Sequence, residues 1–137
     1  MKTNLIMGFD FGTKKIGVAI GQMVTATATP LSIIRVEKGV PNWCMLEKLI
    51  SQWKPERLVV GLPLNMDDSH SNMSRRALKF SSELENRFGI AVSNVDERLS
   101  TFEARQLYKN GRTESSQEEL DDKVAALILE SWLRDRI

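Results

Sequence analysis

The sequence has one cysteine and one histidine in 137 residues. Cys44 alone can close no disulfide within the chain, and it excludes a cysteine-rich zinc site. A single histidine, His70, excludes a zinc centre built on histidines. Cys44 falls within a helical pattern, where a small apolar thiol is expected to pack. His70 falls in a polar stretch and reads as a solvated loop residue, with substrate contact as the alternative. Long apolar runs are also missing: none approaches the roughly 20 residues needed to cross a membrane. The apolar stretch after the first residues is too short for a signal peptide, so a cytosolic chain is expected. There is no internal repeat, low-complexity segment or linker, which leaves one domain over residues 1–137 as the expectation. Charge of one sign is not in excess, the net being only +1. That balance does not exclude nucleic acid, because a local basic patch can stand beside a local acidic cluster.

What is present supports a folded α/β domain, with 42% hydrophobic residues supplying a core. Leu5 to Asp10 is a short apolar run that ends in a carboxylate. Phe11-Gly-Thr-Lys14 is a turn with glycine at its centre. In the next run, Ile16, Val18 and Ile20 alternate with Gly17, Ala19 and Gly21, giving strand periodicity with one bulky and one small face. The two runs read as a hairpin. Thr27 to Val36 is rich in β-branched residues and reads as a third strand, with Pro30 marking an edge or a bulge.

Helical spacing then takes over. Trp43, Leu46, Ile50 and Trp53 share one stripe of a helix that starts at Pro41-Asn42 and stops at Lys54-Pro55. Arg57 to Leu62 is nearly all apolar, the mark of a strand covered on both faces. After the polar stretch from Pro63 to Ser71 comes a helix with Met73, Ala77, Phe80, Leu84 and Phe88 in register and Gly89 as its stop. Ile90 to Val95 is another strand. Two capping boxes follow, Ser100-Thr-Phe-Glu103 and Ser115-Ser-Gln-Glu118, each opening a helix. Antiparallel strands first and strand–helix–strand alternation afterwards imply a mixed five-stranded sheet.

The candidate chemistry lies in carboxylates at element ends. Asp10 ends the first strand, Glu97 stands just past the fifth, and Asp121 and Asp122 open the last helix. Such groups can be simple caps and solvated turns. If they converge, they form an oxygen-donor set of the kind that holds Mg²⁺ or Mn²⁺ with waters and substrate phosphates, and such ions support phosphodiester hydrolysis. Gly8 lies on the strand face of Asp10 and leaves room beside it. Arg98 and Ser100 adjoin Glu97 at a helix start, a natural anion site. Arg75 and Arg76 lie near the start of a helix, where cations cost about 0.3–1 kcal/mol unless an anion is close. They are either phosphate contacts or a screened surface pair. Lys14 and Lys15 add basic charge at the hairpin turn.

The last helix can be phased. Taking Lys123 as zero and about 100° per residue, Glu130 and Arg134 mark the solvent face, Asp121 falls roughly 160° away, and Asp122 roughly 100° away on the flank. A carboxylate on the buried face is costly unless it is paired or bound to a cation.

Four segments together resemble the YqgF/RuvX family: Phe9-Asp-Phe-Gly-Thr-Lys-Lys-Ile-Gly-Val-Ala-Ile-Gly21, Val60-Gly-Leu-Pro-Leu-Asn-Met66, Asp96-Glu-Arg-Leu-Ser-Thr101 and Asp121-Asp-Lys-Val-Ala-Ala-Leu-Ile-Leu-Glu130. The resemblance spans essentially the whole chain, in order. It implies a ribonuclease H-like fold with helices on both faces of the sheet. It also implies a bacterial, cytoplasmic nuclease acting on the 5′ end of pre-16S ribosomal RNA, with Holliday-junction resolution on DNA as the competing role. By motif, the acidic positions are Asp10, Glu97 and Asp121. The family's last motif usually has one Asp, and the Asp121-Asp122 pair leaves the third ligand open by one position. Two other readings compete. Asp10-x-Gly-Thr13 is also similar to the phosphate loop of actin-like ATPases and sugar kinases, which need two such domains. A non-catalytic RNA-binding ribosome-assembly factor would carry the same residues.

Overall fold

The computed structural model describes residues 4–63, 72–96 and 117–134, with side chains in the last segment described from Lys123 onward. In order, the elements are β1 (Leu5–Phe11), β2 (Lys15–Gln22), β3 (Thr27–Glu37), β4 (Val40–Pro41), α1 (Trp43–Trp53), β5 (Arg57–Leu62), α2 (Asn72–Phe88), β6 (Val92–Asp96) and α3 (Gln117–Arg134). The expected helix opening at Ser100 lies outside the described residues.

The strands form one mixed sheet in the order β4-β3-β2-β1-β5-β6. β1 pairs antiparallel with β2 and parallel with β5, and β5 pairs parallel with β6. The sheet has six strands rather than the expected five. The extra one is β4, two residues that pair with Val36 and Glu37 after a turn at Lys38-Gly39, where both residues have positive φ. A two-residue strand is too short to show any periodicity. The register between β2 and β3 shifts at Val18/Ala19, where Ser32 and Pro30 are the successive partners, so the irregularity falls beside Pro30 as expected.

Strand alternation sends side chains to two separate cores. Met7, Phe9, Ile16, Val18, Leu58 and Val60 face α1 and α2, where they meet Leu46, Ile50, Ala77, Phe80 and Leu84. The aromatic rings of β1 lock that side. Phe9 meets Phe80 edge-on with centroids 5.7 Å apart, Phe11 lies 5.2 Å from Phe80, and Trp43 lies 5.8 Å from it. Ile6, Ala19 and Val59 face the other way, against Ala125, Ile128, Leu129 and Trp132 of α3. The sheet is therefore covered on both faces.

The helix ends follow local rules. Asn42 caps α1 by accepting from the Met45 N–H, and Lys54 closes it in the left-handed region before Pro55. Gly89, at φ +65°, ends α2. Cys44 departs from its expected packing role: it lies on the outer side of α1 and is exposed. The core stripe is carried by Leu46 and Ile50, with Trp43 and Trp53 at its partly buried margins.

Candidate nucleic-acid-processing edge

Parallel pairing of β1, β5 and β6 sets their C-terminal ends along one edge of the sheet. Ligands of open α/β sheets characteristically bind outside such an edge. Asp10 is the penultimate residue of β1 and is half-buried there. Its alternation partners on the strand, Gly8 and Ile6, face α3, so Asp10 lies on the α3 side of the sheet. Directly across on β2 it meets Gly17, which has no side chain to fill the space.

The small face of the hairpin explains how α3 comes so close. A Cβ built on Gly8 would lie 2.9 Å from Leu129 Cβ and 3.4 Å from the Ala125 carbonyl oxygen, both within a tight approach. Of the two uses expected for the room beside Gly8, other side chains or an ion, the first is seen: Leu129 of α3 fills it. A Cβ on Gly21 would meet Leu129 Cδ2 at 2.9 Å and Leu133 Cδ1 at 3.0 Å. Gly21 pairs with Ile6, and Gly8 pairs with Ala19. Two residues of advance along β1 therefore match four residues back along α3. This fits rises of about 3.3 Å per strand residue and 1.5 Å per helix residue. The next step along β1 is Asp10, and the next turn back along the helix begins at Asp121. The N-terminal part of α3 therefore runs toward the Asp10 end of β1.

The phase of α3 agrees with expectation at its centre and departs from it at the flank. Arg134 is exposed and Glu130 half-buried, while Ala125, Ile128 and Trp132 are buried. Leu129 and Leu133, which share the angular position of Asp122, are also buried, at 0% and 1% exposure. The flank is inside because α3 lies across β1, β2 and β3 together. Helix phase therefore separates Asp121 from Asp122 less than their spacing suggested.

The other expected residues divide between the two faces. Lys15 is half-buried on the α3 side and sits directly opposite Arg35 of β3. Lys14 is exposed at the turn, where its carbonyl accepts the Val36 N–H at 2.8 Å. Gly12 makes that turn possible, because a Cβ there would fall 2.6 Å from the Lys15 carbonyl oxygen. Arg75 and Arg76 lie in the first turns of α2, are exposed, and have no acidic residue in the first turn beside them. Arg76 faces a cleft of about 200 Å³ on the α1/α2 side, together with Thr13, Lys79 and Phe11. Arg76 and Asp10 thus belong to opposite faces of one edge.

Lys79 was not singled out from the sequence. Its signal was available, since it lies three residues beyond Arg76 and so on the same helix face. Glu97, Arg98 and Ser100 lie outside the described residues, as does His70, while the side chains of Asp121 and Asp122 are not among those described. β6 ends at Asp96, one residue before Glu97, with Asp96 aligned to Leu62 at the same edge. Among the described residues no three His, Cys, Asp or Glu side chains are grouped to hold a metal ion. No helix of the described residues is long and apolar enough to cross a membrane.

The family described as RuvX, Holliday junction resolvase, matches residues 4–135. A relative from Pectobacterium carotovorum subsp. carotovorum, named "Putative pre-16S rRNA nuclease", is 49% identical over 134 residues and covers 96% of each chain. One of the same name from Azotobacter vinelandii is 46% identical, covering 96% of this chain and 94% of its own. Among solved structures, T. thermophilus RuvC in complex with a Holliday junction substrate matches at TM-score 0.59 and 12% identity, over 96% of this chain and 94% of that one. The Holliday junction resolvase of fowlpox virus matches at TM-score 0.55 and 14% identity, over 97% and 99%. At such low identity the two structures speak for the fold alone, which is ribonuclease H-like.

Proposed function

Because this chain belongs to the RuvX family, we propose that it is a metal-dependent endonuclease that hydrolyses phosphodiester bonds of structured nucleic acid, and that in the cytoplasm it processes the 5′ end of pre-16S rRNA. The observation that carries this reading is the placement of Asp10: a half-buried carboxylate at the C-terminal edge of parallel strands, paired across to Gly17 and on the sheet face that α3 covers. A cation bound by that half-buried carboxylate would offset the cost of taking its charge out of water.

In this reading Asp10, Glu97 and Asp121 hold Mg²⁺ or Mn²⁺. When bound, such an ion lowers the pKa of a coordinated water and offsets charge on the leaving oxygen. An all-oxygen donor set suits these hard cations. The chain's own groups do the rest. Lys14 and Lys15 draw the phosphate backbone to the β1–β2 turn, and Arg98 with Ser100 binds a phosphate oxygen beside Glu97. The close approaches at Gly8 and Gly21 hold α3 tightly against the strands, and in this reading Asp121 acts from that helix.

The relatives' name favours RNA as substrate, while the family's description favours a four-way DNA junction. Sequencing of 16S 5′ ends in cells depleted of the protein decides between them. Accumulation of 5′-extended 16S RNA supports the RNA reading. Normal 5′ ends with persistent branched DNA support the junction. A protein that binds precursor RNA and never cuts it would be an assembly factor rather than an enzyme.

A further inference from the structure

We infer that the cleft between the β1–β2 turn and α2 is a second nucleic-acid contact, which takes one single-stranded nucleotide adjacent to the strand held at Asp10, with Lys79 as a specificity-determining residue. This rests on the nuclease reading for the identity of its ligand. The cleft encloses about 200 Å³. That is below the roughly 300–1,000 Å³ of ordinary small-ligand pockets, and it suits a single base or a phosphate group rather than a duplex.

The walls of the cleft differ in chemistry. Phe11, Val36, Pro41 and Phe80 give it an apolar lining, and Thr13, Arg76, Lys79 and Glu83 a polar one in which cations outnumber the single carboxylate. Phe11 is half-buried and packs 5.2 Å from Phe80, which fixes its ring as a wall rather than a mobile flap. An apolar, aromatic surface beside paired cations is the pattern that holds single strands, with bases against the ring and phosphates on the cations. Lys79 is exposed and, like Arg76, makes no ion pair among the described residues.

The cleft also has a direction. α2 connects the parallel strands β5 and β6, so it runs back from the C-terminal edge, with Arg76 nearer that edge and Glu83 farther in. A phosphate belongs at the Arg76–Lys79 end, since Glu83 would repel it at the other. Glu83 can instead accept from a base amino group. Asp10 and Phe11 are neighbours on β1 facing opposite sides. A strand leaving Asp10 therefore reaches the cleft by passing over the rim of β1. Base-paired nucleic acid cannot fold over that rim, whereas an unpaired flank can.

The test is fluorescence anisotropy of the full chain with a labelled oligouridylate and with a blunt duplex of equal length, in EDTA so that nothing is cut. Lys79→Glu should weaken the single strand about tenfold and lower the slope of log affinity against log salt by about 0.7, the value for one phosphate neutralised on a single strand. Duplex binding should change far less. Lys79→Arg should restore the single-strand affinity, and a melting curve matching the parent's should accompany each variant. Unchanged single-strand affinity and slope in Lys79→Glu would overturn the proposal, as would equal weakening on single strand and duplex. Cleavage by the wild type and by Asp10→Asn judges the nuclease reading separately, because the anisotropy difference needs no cleavage.

Discussion

Asp10 and the two glycines around it show how much hangs on side-chain size at this edge. Gly8 is required because α3 crosses it, with the Leu129 Cβ 2.9 Å from where a Cβ would stand. Gly8→Ala should therefore push the helix away and destabilise the fold by about 1–3 kcal/mol, as overpacking does. Urea denaturation would read this as a lowered midpoint with an unchanged slope. The alternation of Gly17, Ala19 and Gly21 in the sequence already marked a small face, and Asp10 at a strand end was visible as a carboxylate in an unusual place. The close approach of a distant helix was not visible, because it depends on residues more than a hundred positions away along the chain. The choice between Asp121 and Asp122 also belongs to this scale. With Asp121 as the proposed ligand, Asp121→Asn should abolish cleavage and leave the fold intact without metal, while Asp122→Asn should keep most activity. The reverse pattern would mean that the helix presents the neighbouring carboxylate.

Among elements, α2 carries the clearest local signal and the least expected consequence. Its stripe of Ala77, Phe80 and Leu84 is buried as the spacing required, and its basic start was equally plain. The side it serves was not plain, since a helix stripe identifies an inner face but not which face of the sheet it covers. The outcome is that Arg76 stands across the sheet from Asp10. Replacing both Arg75 and Arg76 by Ala should weaken nucleic-acid binding across sequences and flatten the salt dependence by about one unit for each phosphate no longer neutralised. A parallel titration of the parent protein checks this, and an identical slope would make the pair a solvated surface feature. For Cys44 the deciding property is its phase rather than its presence in a helix: it falls about 120–160° from Leu46 and Ile50 and reaches solvent. The two-residue strand β4 went unread for a different reason, being created by the Lys38-Gly39 turn rather than by any run of strand-forming residues.

At the scale of the molecule, three parallel strand ends and one helix start are drawn to a single edge from positions scattered along the chain. The antiparallel hairpin at the front and the strand–helix–strand alternation behind it made the mixed sheet legible, though not its strand order. The convergence was only conditional in the sequence, because it needs β1 to lie near β6, and the sheet brings them within one strand of each other by placing β5 between them, an order that no local pattern specifies. If carboxylates converge here, their mutual repulsion costs stability until a cation arrives, and binding to the native state alone stabilises it by mass action. Millimolar Mn²⁺ should therefore raise the melting temperature of the wild type and not that of Asp10→Asn. The most direct test of the whole account is cleavage of a pre-16S transcript carrying its 5′ flank, with wild type and Asp10→Asn compared in Mg²⁺ and in EDTA. The account predicts cutting in the flank by the wild type in Mg²⁺ alone, with Asp10→Asn bound to the RNA but inert; equal cutting by Asp10→Asn, or undiminished cutting in EDTA, would contradict it.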